Sequence, residues 1–285
     1  MPFYRIILTT LLLSTIAIKF SAQETQGLTF EGELHFRTME NHDENAVKFS
    51  FGMSYNGARD IKYIIKGNKV LYKDESTNMY TILDPDKDSI ILFSTYIKKG
   101  MKFNYSHYIG SYLSAFSADG QWTKELGYIN LPSCYRFNII DDNYKYKDYT
   151  AQYIEGRIEN QSAGTSIDII NMPNIKIPRA MYHIQLYGIS IDGLIAKLTY
   201  EQINNVPHVG ELKTYVSSEL KEMISRNVDD SEFNIPSEIS IDISESPFEV
   251  VELYKQNDKY LKKNKLYPTQ INKNVIYEIN EEWDF

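Results

Sequence analysis

The chain has 285 residues, with 38 Asp plus Glu against 30 Lys plus Arg, 23 tyrosines and a single cysteine. The formal net charge of −8 disfavours nucleic acid and anionic headgroups as general partners. One thiol excludes an internal disulfide, and the length suits one large domain with a sizeable core.

Residues 1–22 read as a cleavable secretory leader. Arg5 supplies the positive start, Ile6 to Ile18 carries no charge, and Ser21-Ala22 offers small residues before Gln23. The apolar stretch of about 13 residues falls short of the roughly 20 that span a bilayer, and no later segment is long and apolar enough to do so. Removing Arg5 and Lys19 with the leader deepens the net charge from −8 to −10. The expected protein is exported, periplasmic or secreted, with no transmembrane segment after signal cleavage.

The next elements follow a period of two. Leu28 to Arg37 places Leu28, Phe30, Leu34 and Phe36 on one face, with Glu31, Glu33, His35 and Arg37 opposite. Val47 to Ser54 does the same with Val47, Phe49, Phe51 and Met53. Ile61, Tyr63 and Ile65 mark a third strand, and Gly67-Asn68 is a hairpin turn into Val70-Leu71-Tyr72. Tyr80 to Leu83 and Ser89 to Ser94 form a hairpin around Asp84-Pro85-Asp86-Lys87.

The period then changes. Tyr108, Tyr112 and Phe116 are four apart and predict a short helix over 105–117, ending near Gly120. Strands resume at Cys134 to Ile140, Tyr149 to Ile158, Ser166 to Asn171, Tyr182 to Ile189 and Leu194 to Ile203. They are broken by Asp141-Asp142-Asn143, Ser162-Ala163-Gly164 and Asp192-Gly193. Such short connections imply antiparallel pairing. Leu212 to Val228 is ambiguous between strand and helix. Ser246, Pro247 and Glu249 have the pattern of a capped helix start, with Val250, Tyr254 and Leu261 on one face and Lys259, Lys262, Lys263 and Lys265 at its end. Asn274 to Ile279 is a candidate final strand.

No run has the spacing of a known catalytic or metal motif. Asp84, Asp86 and Asp88 alternate, but Ser89 and Thr95 stand where a calcium loop needs Gly and Glu, so a hairpin turn is the expected reading. The histidines, His35, His42, His107, His183 and His208, show no ligand spacing. Cys134 reads as a small buried hydrophobe. Catalytic residues, metals and cofactors are therefore none on this reading, and an enzyme is not expected.

Several segments resemble a known group. They are Phe30-Glu31-Gly32-Glu33-Leu34, the run Asp60 to Val70, Tyr80 to Asp84, Leu126-Gly127-Tyr128 with Cys134 to Phe137, and Asp229 to Pro236. Their order resembles exported bacterial proteins of unknown function with the half-barrel fold of the LolA-like lipoprotein carriers, over roughly residues 28–245. The resemblance implies a mainly β (α+β) fold: a strongly curved antiparallel sheet, a half-barrel, with helices on the concave face. The expected organisation is 1–22 signal peptide, 23–245 curved-sheet domain and 246–285 helix-strand extension. In carriers of this fold the cavity holds acyl chains. The corresponding expectation is an apolar ligand, a lipid or acyl chain, against Phe30, Leu34, Phe36, Phe49, Phe51, Met53, Tyr63, Tyr108, Tyr112 and Phe116. Two alternatives stay open: a cell-envelope component docking a protein partner, and an enzyme with a dispersed site.

Overall fold

A computed structural model describes residues 29–42, 57–106, 135–158, 163–178, 180–181, 191–206, 210–244 and 249–266. These form one open twelve-stranded sheet in the order β12-β6-β5-β4-β3-β2-β1-β11-β10-β9-β8-β7. The first meander is β1 (Gly32–His42), β2 (Gly57–Lys66), β3 (Lys69–Asp74), β4 (Met79–Asp84), β5 (Ser89–Ser94) and β6 (Lys99–Asn104). The second is β7 (Tyr135–Tyr146), β8 (Tyr149–Ile158), β9 (Ala163–Met172), β10 (Leu194–Val206) and β11 (Gly210–Ser225). Pairing of β1 with β11 joins them. Every neighbouring pair is antiparallel except β12 (Ser240–Ile243), which lies parallel to β6. The helix described from end to end is α1 (Val250–Asn264).

Local chemistry explains the turns. Gly67 adopts φ +56 between β2 and β3, as the hairpin signal requires. At the start of β1, Gly32 has φ +142, and a Cβ there would fall 2.0 Å from the Ile224 carbonyl oxygen. The aspartates at the end of β4 and after it are each hydrogen-bonded. Asp84 accepts from the Lys87 amide at 3.3 Å, Asp86 accepts from Asn68 at 3.2 Å, and Asp88 accepts from the amide and hydroxyl of Ser106.

Several boundaries differ from the sequence expectations. β1 runs to His42 rather than Arg37. Asp141-Asp142-Asn143 does not break a strand: β7 continues through it by two register shifts, and Asp141 accepts from the Asn143 amide at 2.8 Å. The ambiguous 212–228 segment is largely β11, sixteen residues paired with β10 over 210–219 and with β1 over 214–225. β6 and β12 had no sequence signal. On α1 the buried residues are Leu253, Asn257 and Leu261, whereas Tyr254 is exposed. The Glu249 carboxylate accepts from the Ser244 hydroxyl, while Ser246 and Pro247 lie outside the described residues. So do the strands expected at Val47–Ser54, Tyr182–Ile189 and Asn274–Ile279, most of the 105–117 helix, and Cys134.

The core forms on both faces of the first meander. One cluster joins Leu34, Phe36, Ile61, Tyr63, Ile65, Val70 and Leu83. On the reverse side, Val228, Phe233 and Ile239 of the segment after β11 cover Ile64, Leu71, Ile82 and Phe93. This two-sided burial explains the unbroken apolar runs Ile64-Ile65 and Ile90-Ile91-Leu92-Phe93, since neither face of these strands meets water. α1 seats Leu253 on Met79 and Leu92, and its Asn257 accepts from the Ser94 hydroxyl at 2.7 Å and donates to the Thr77 carbonyl at 3.1 Å.

The second meander folds back at its end. The Tyr146 hydroxyl and the Lys147 ammonium donate to the Leu220 carbonyl at 3.3 and 2.6 Å. Three strands separate β7 from β11 in the sheet order. Laid flat at ~4.8 Å per strand, their axes would stand about 19 Å apart, beyond the reach of either side chain. The β10–β11 ladder ends at Lys197↔Glu219, next to Leu220, and the two donors meet the carbonyl just beyond it.

Candidate functional site

Alternation along β1 puts Leu34, Phe36, Thr38 and Glu40 on one face. The register sets Leu34 opposite Tyr63, Phe36 opposite Ile61 and Thr38 opposite Arg59. β3 then sets Tyr72 opposite Tyr63 and Asp74 opposite Ile61. The result is a row of rings across three strands. Phe36 meets Tyr63 edge to face at 5.6 Å, and Tyr63 meets Tyr72 at 5.5 Å. Leu34, Phe36 and Tyr63 are 0%, 3% and 4% exposed. Phe30 and Tyr72 are half-buried at the margin of the same cluster, with Met223, Ile175 and Tyr144.

The row ends in buried charge. Arg59 pairs with Glu40 and lies 3.3 Å from Asp74. Asp74 also accepts from the amides of Ser76 and Thr77 at 3.0 and 3.2 Å. These bonds compensate the cost of removing the carboxylates from water. Burial pushes the Tyr63 phenol well above its ordinary range, with Arg59 opposing the shift and Asp74 adding to it. Burial acts on Tyr72 in the same way. Both phenols therefore remain protonated donors across the physiological range.

A second charged centre lies on the opposite face of β1. Glu33 contacts His35 at 2.9 Å, Lys62 at 2.9 Å and Arg226 at 2.7 Å. Burial would raise its carboxyl, but the bonds from His35, Lys62 and Arg226 outweigh that and hold it at about 2. Arg226 continues to Glu232, and Glu31 accepts from the Val228 amide at 2.9 Å. His35 also lies 3.3 Å from Glu222. This network fastens residues 226–233 to the sheet.

A third group spans the second meander. The Tyr153 hydroxyl is 3.2 Å from both Glu155 and Asp168. Lys197 is lowered by its burial, against the pull of Glu219 and Asp168. Among the described residues, no three His, Cys, Asp or Glu side chains are placed to hold a metal ion.

Of the site residues expected from sequence, the structure brings together Phe30, Leu34, Phe36 and Tyr63. Phe49, Phe51, Met53, Tyr108, Tyr112 and Phe116 lie outside the described residues. Sequence reasoning missed Tyr72 and the Glu40–Arg59–Asp74 group. The signal was parity: each charged residue extends its strand's inward alternation, past Phe36 and Thr38, past Ile61, and past Tyr72.

No protein-family profile matches the chain, and no curated protein matches it at a significant level. The fold itself defines a mainly β protein built on one open sheet. Among the described residues, no helix is long and apolar enough to cross a membrane.

Proposed function

We propose that this chain is an exported, non-enzymatic protein that holds a lipid or other apolar ligand against the inner face of a half-barrel like that of the lipoprotein carriers. The observation that carries the reading is the fold-back of β7 onto β11 through Tyr146 and Lys147. It supports a concave face. Tyr146 and Leu220 belong to the same apolar cluster as Phe36 and Tyr63, so aromatic and aliphatic surface lines that side. A guest with a flexible chain suits such a lining. Phe30 and Tyr72, half-buried at the margin, are where a chain would enter.

The test is titration of the delipidated protein with a fluorescent fatty acid, alongside extraction of the exported protein for bound lipid. Saturable binding that weakens at least ten-fold in Phe30→Asp and Tyr72→Asp, with circular dichroism unchanged, supports the proposal. Absence of saturable binding across several acyl lengths overturns it.

A second reading is a cell-envelope component that docks a protein partner. The near-complete burial of Leu34, Phe36 and Tyr63 favours it, because side chains already packed against one another leave little room for a guest. The exposed Ile140 and Ile243, in the two edge strands β7 and β12, would then belong to the docking surface.

A further inference from the structure

α1 has two unlike faces. Val250, Leu253 and Asn257 turn toward the sheet, as their contacts with Met79, Leu92, Ser94 and Thr77 establish, and Leu261 on the same side of the helix is buried. Lys255, Lys259, Lys262 and Lys263 follow the spacing i, i+4, i+7, i+8 and are all exposed. At 3.6 residues per turn they occupy an arc of about 100° centred opposite the docked face. Lys265 follows as the left-handed C-cap. Residues 249–265 hold five lysines against Glu249, Glu252 and Asp258, with Asp258 paired to Lys262 at 2.8 Å.

The patch extends onto the sheet. Tyr96 stacks on Tyr260 at 5.4 Å, and Lys99 donates to Gln256 at 3.3 Å. Lys98 and Lys99 are both exposed beside the helix. Six cationic side chains, with Glu252 among them, thus lie on or beside one surface of a chain whose net charge is −8. The helix dipole accounts for lysines in the last turn, but Lys255 and Lys259 are too far from the C-terminus to gain much from it. Leu266, 42% exposed just past the helix end, adds apolar surface.

We propose that this lysine face of α1, with the β5–β6 turn, docks onto an anionic phospholipid surface. The whole chain is acidic, yet at physiological salt charges are screened over about 8 Å, so a membrane in contact with α1 responds to the lysines near it rather than to the distant acids. Lysines along one side of a helix, with an exposed leucine just past its end, match a headgroup layer over a shallow apolar boundary. An acidic polymer would use the lysines but gain nothing from Leu266. Docking of this kind is independent of an internal ligand, since it uses only the outer surface.

The experiment is co-sedimentation of the exported chain with vesicles of equimolar phosphatidylglycerol and phosphatidylcholine, and with phosphatidylcholine alone. Binding is expected on the anionic vesicles only, weakening as salt rises. Lys255→Gln/Lys259→Gln/Lys263→Gln should weaken it roughly 100-fold, about five-fold per lysine. The control Lys145→Gln/Lys221→Gln should bind as the parent does. Circular dichroism checks the fold of each variant; if the triple variant unfolds, Lys259→Gln alone should still lose about five-fold. Equal binding to neutral vesicles, no binding to anionic ones, an unaffected triple variant, or binding to heparin without binding to vesicles would each overturn the proposal.

Discussion

The two meanders build similar numbers of antiparallel strands by different means. From β1 to β6 every ladder is in continuous register, while apolar clusters cover both faces of either meander. From β7 to β11 the register shifts between Ile139 and Asp141, between Asp141 and Tyr144, and between Ile195 and Lys197. A further shift falls where β11 meets β1 at His35/Phe36. Bulges raise local twist and re-aim side chains. The regular half carries the aromatic row, and the bulged half supplies the edge that folds back toward it.

The largest expected effect is at the buried ion group of the regular half. Asp74→Ala leaves Arg59 with one of its two carboxylates and frees two turn amides, so a loss of about 3–5 kcal/mol is expected. Chemical denaturation measures it. A loss below about 1 kcal/mol would mean that water reaches the group and that the row is open at that end.

Next come paired truncations in the two halves. Ile65 and Ile169 are both fully buried, and each change to Ala should cost about 2–5 kcal/mol. Thr38 and Ser218 hydroxyls meet at 2.9 Å across 180 residues of sequence, and the β1–β11 ladder couples the meanders. Both variants should therefore unfold in one transition. Two separate transitions for Ile169→Ala would show the bulged meander to be its own cooperative unit.

Much of the regular half was legible in the sequence, because alternation and turn chemistry agreed there. Leu34, Phe36 and Tyr63 fall on one face by period alone, and Gly67-Asn68 turns as its residues require. Glu40 was lost because Met39 interrupts the polar side and the inward residue after Thr38 is an acid. β11 was ambiguous for a physical reason. Leu212, Val216 and Leu220 are four apart, which is the helical spacing, and pairing with β1 and β10 overrides it. β7 was cut short because three polar residues signal a turn, and only a bulge lets a strand pass through them. The parallel contact of β12 with β6 is wholly non-local. So is the fold-back of β7, since nothing near Tyr146 names Leu220 as its acceptor.

Acid should probe the face of β1 opposite the row. Glu33 is held at about 2 in the fold, against 4.5 for the unperturbed carboxyl. A lowered folded value stabilises above the unfolded one. That contribution is complete above pH 4.5 and is lost as pH falls toward 2. It amounts to about 2–3 kcal/mol at most, given the partial exposure of its partners. Glu33→Gln should remove this part of the acid dependence while lowering stability at neutral pH. An unchanged slope between pH 4.5 and 2 would show that residues 226–233 are held by Phe233 and Val228 rather than by charge.

The smallest effect is the most telling for shape. Tyr146→Phe removes one hydroxyl bond to the Leu220 carbonyl and keeps the ring in its cluster, so about 1 kcal/mol is expected. Lys147→Met removes the shorter, charge-assisted bond to the same oxygen and should cost about 1.5–3 kcal/mol. The two donors share one acceptor, so each can partly replace the other, and the double variant should lose more than the two single losses added together. The carbonyl is then left beyond the end of the β10–β11 ladder with neither donor. If the fold-back holds β7 against β11, as the proposed concave face requires, the double variant should also show faster hydrogen exchange in β7 and β8, with β2 to β5 unaffected. Equal protection of β7 in the variant and the parent would mean that the bonds to Leu220 do not hold β7 in place.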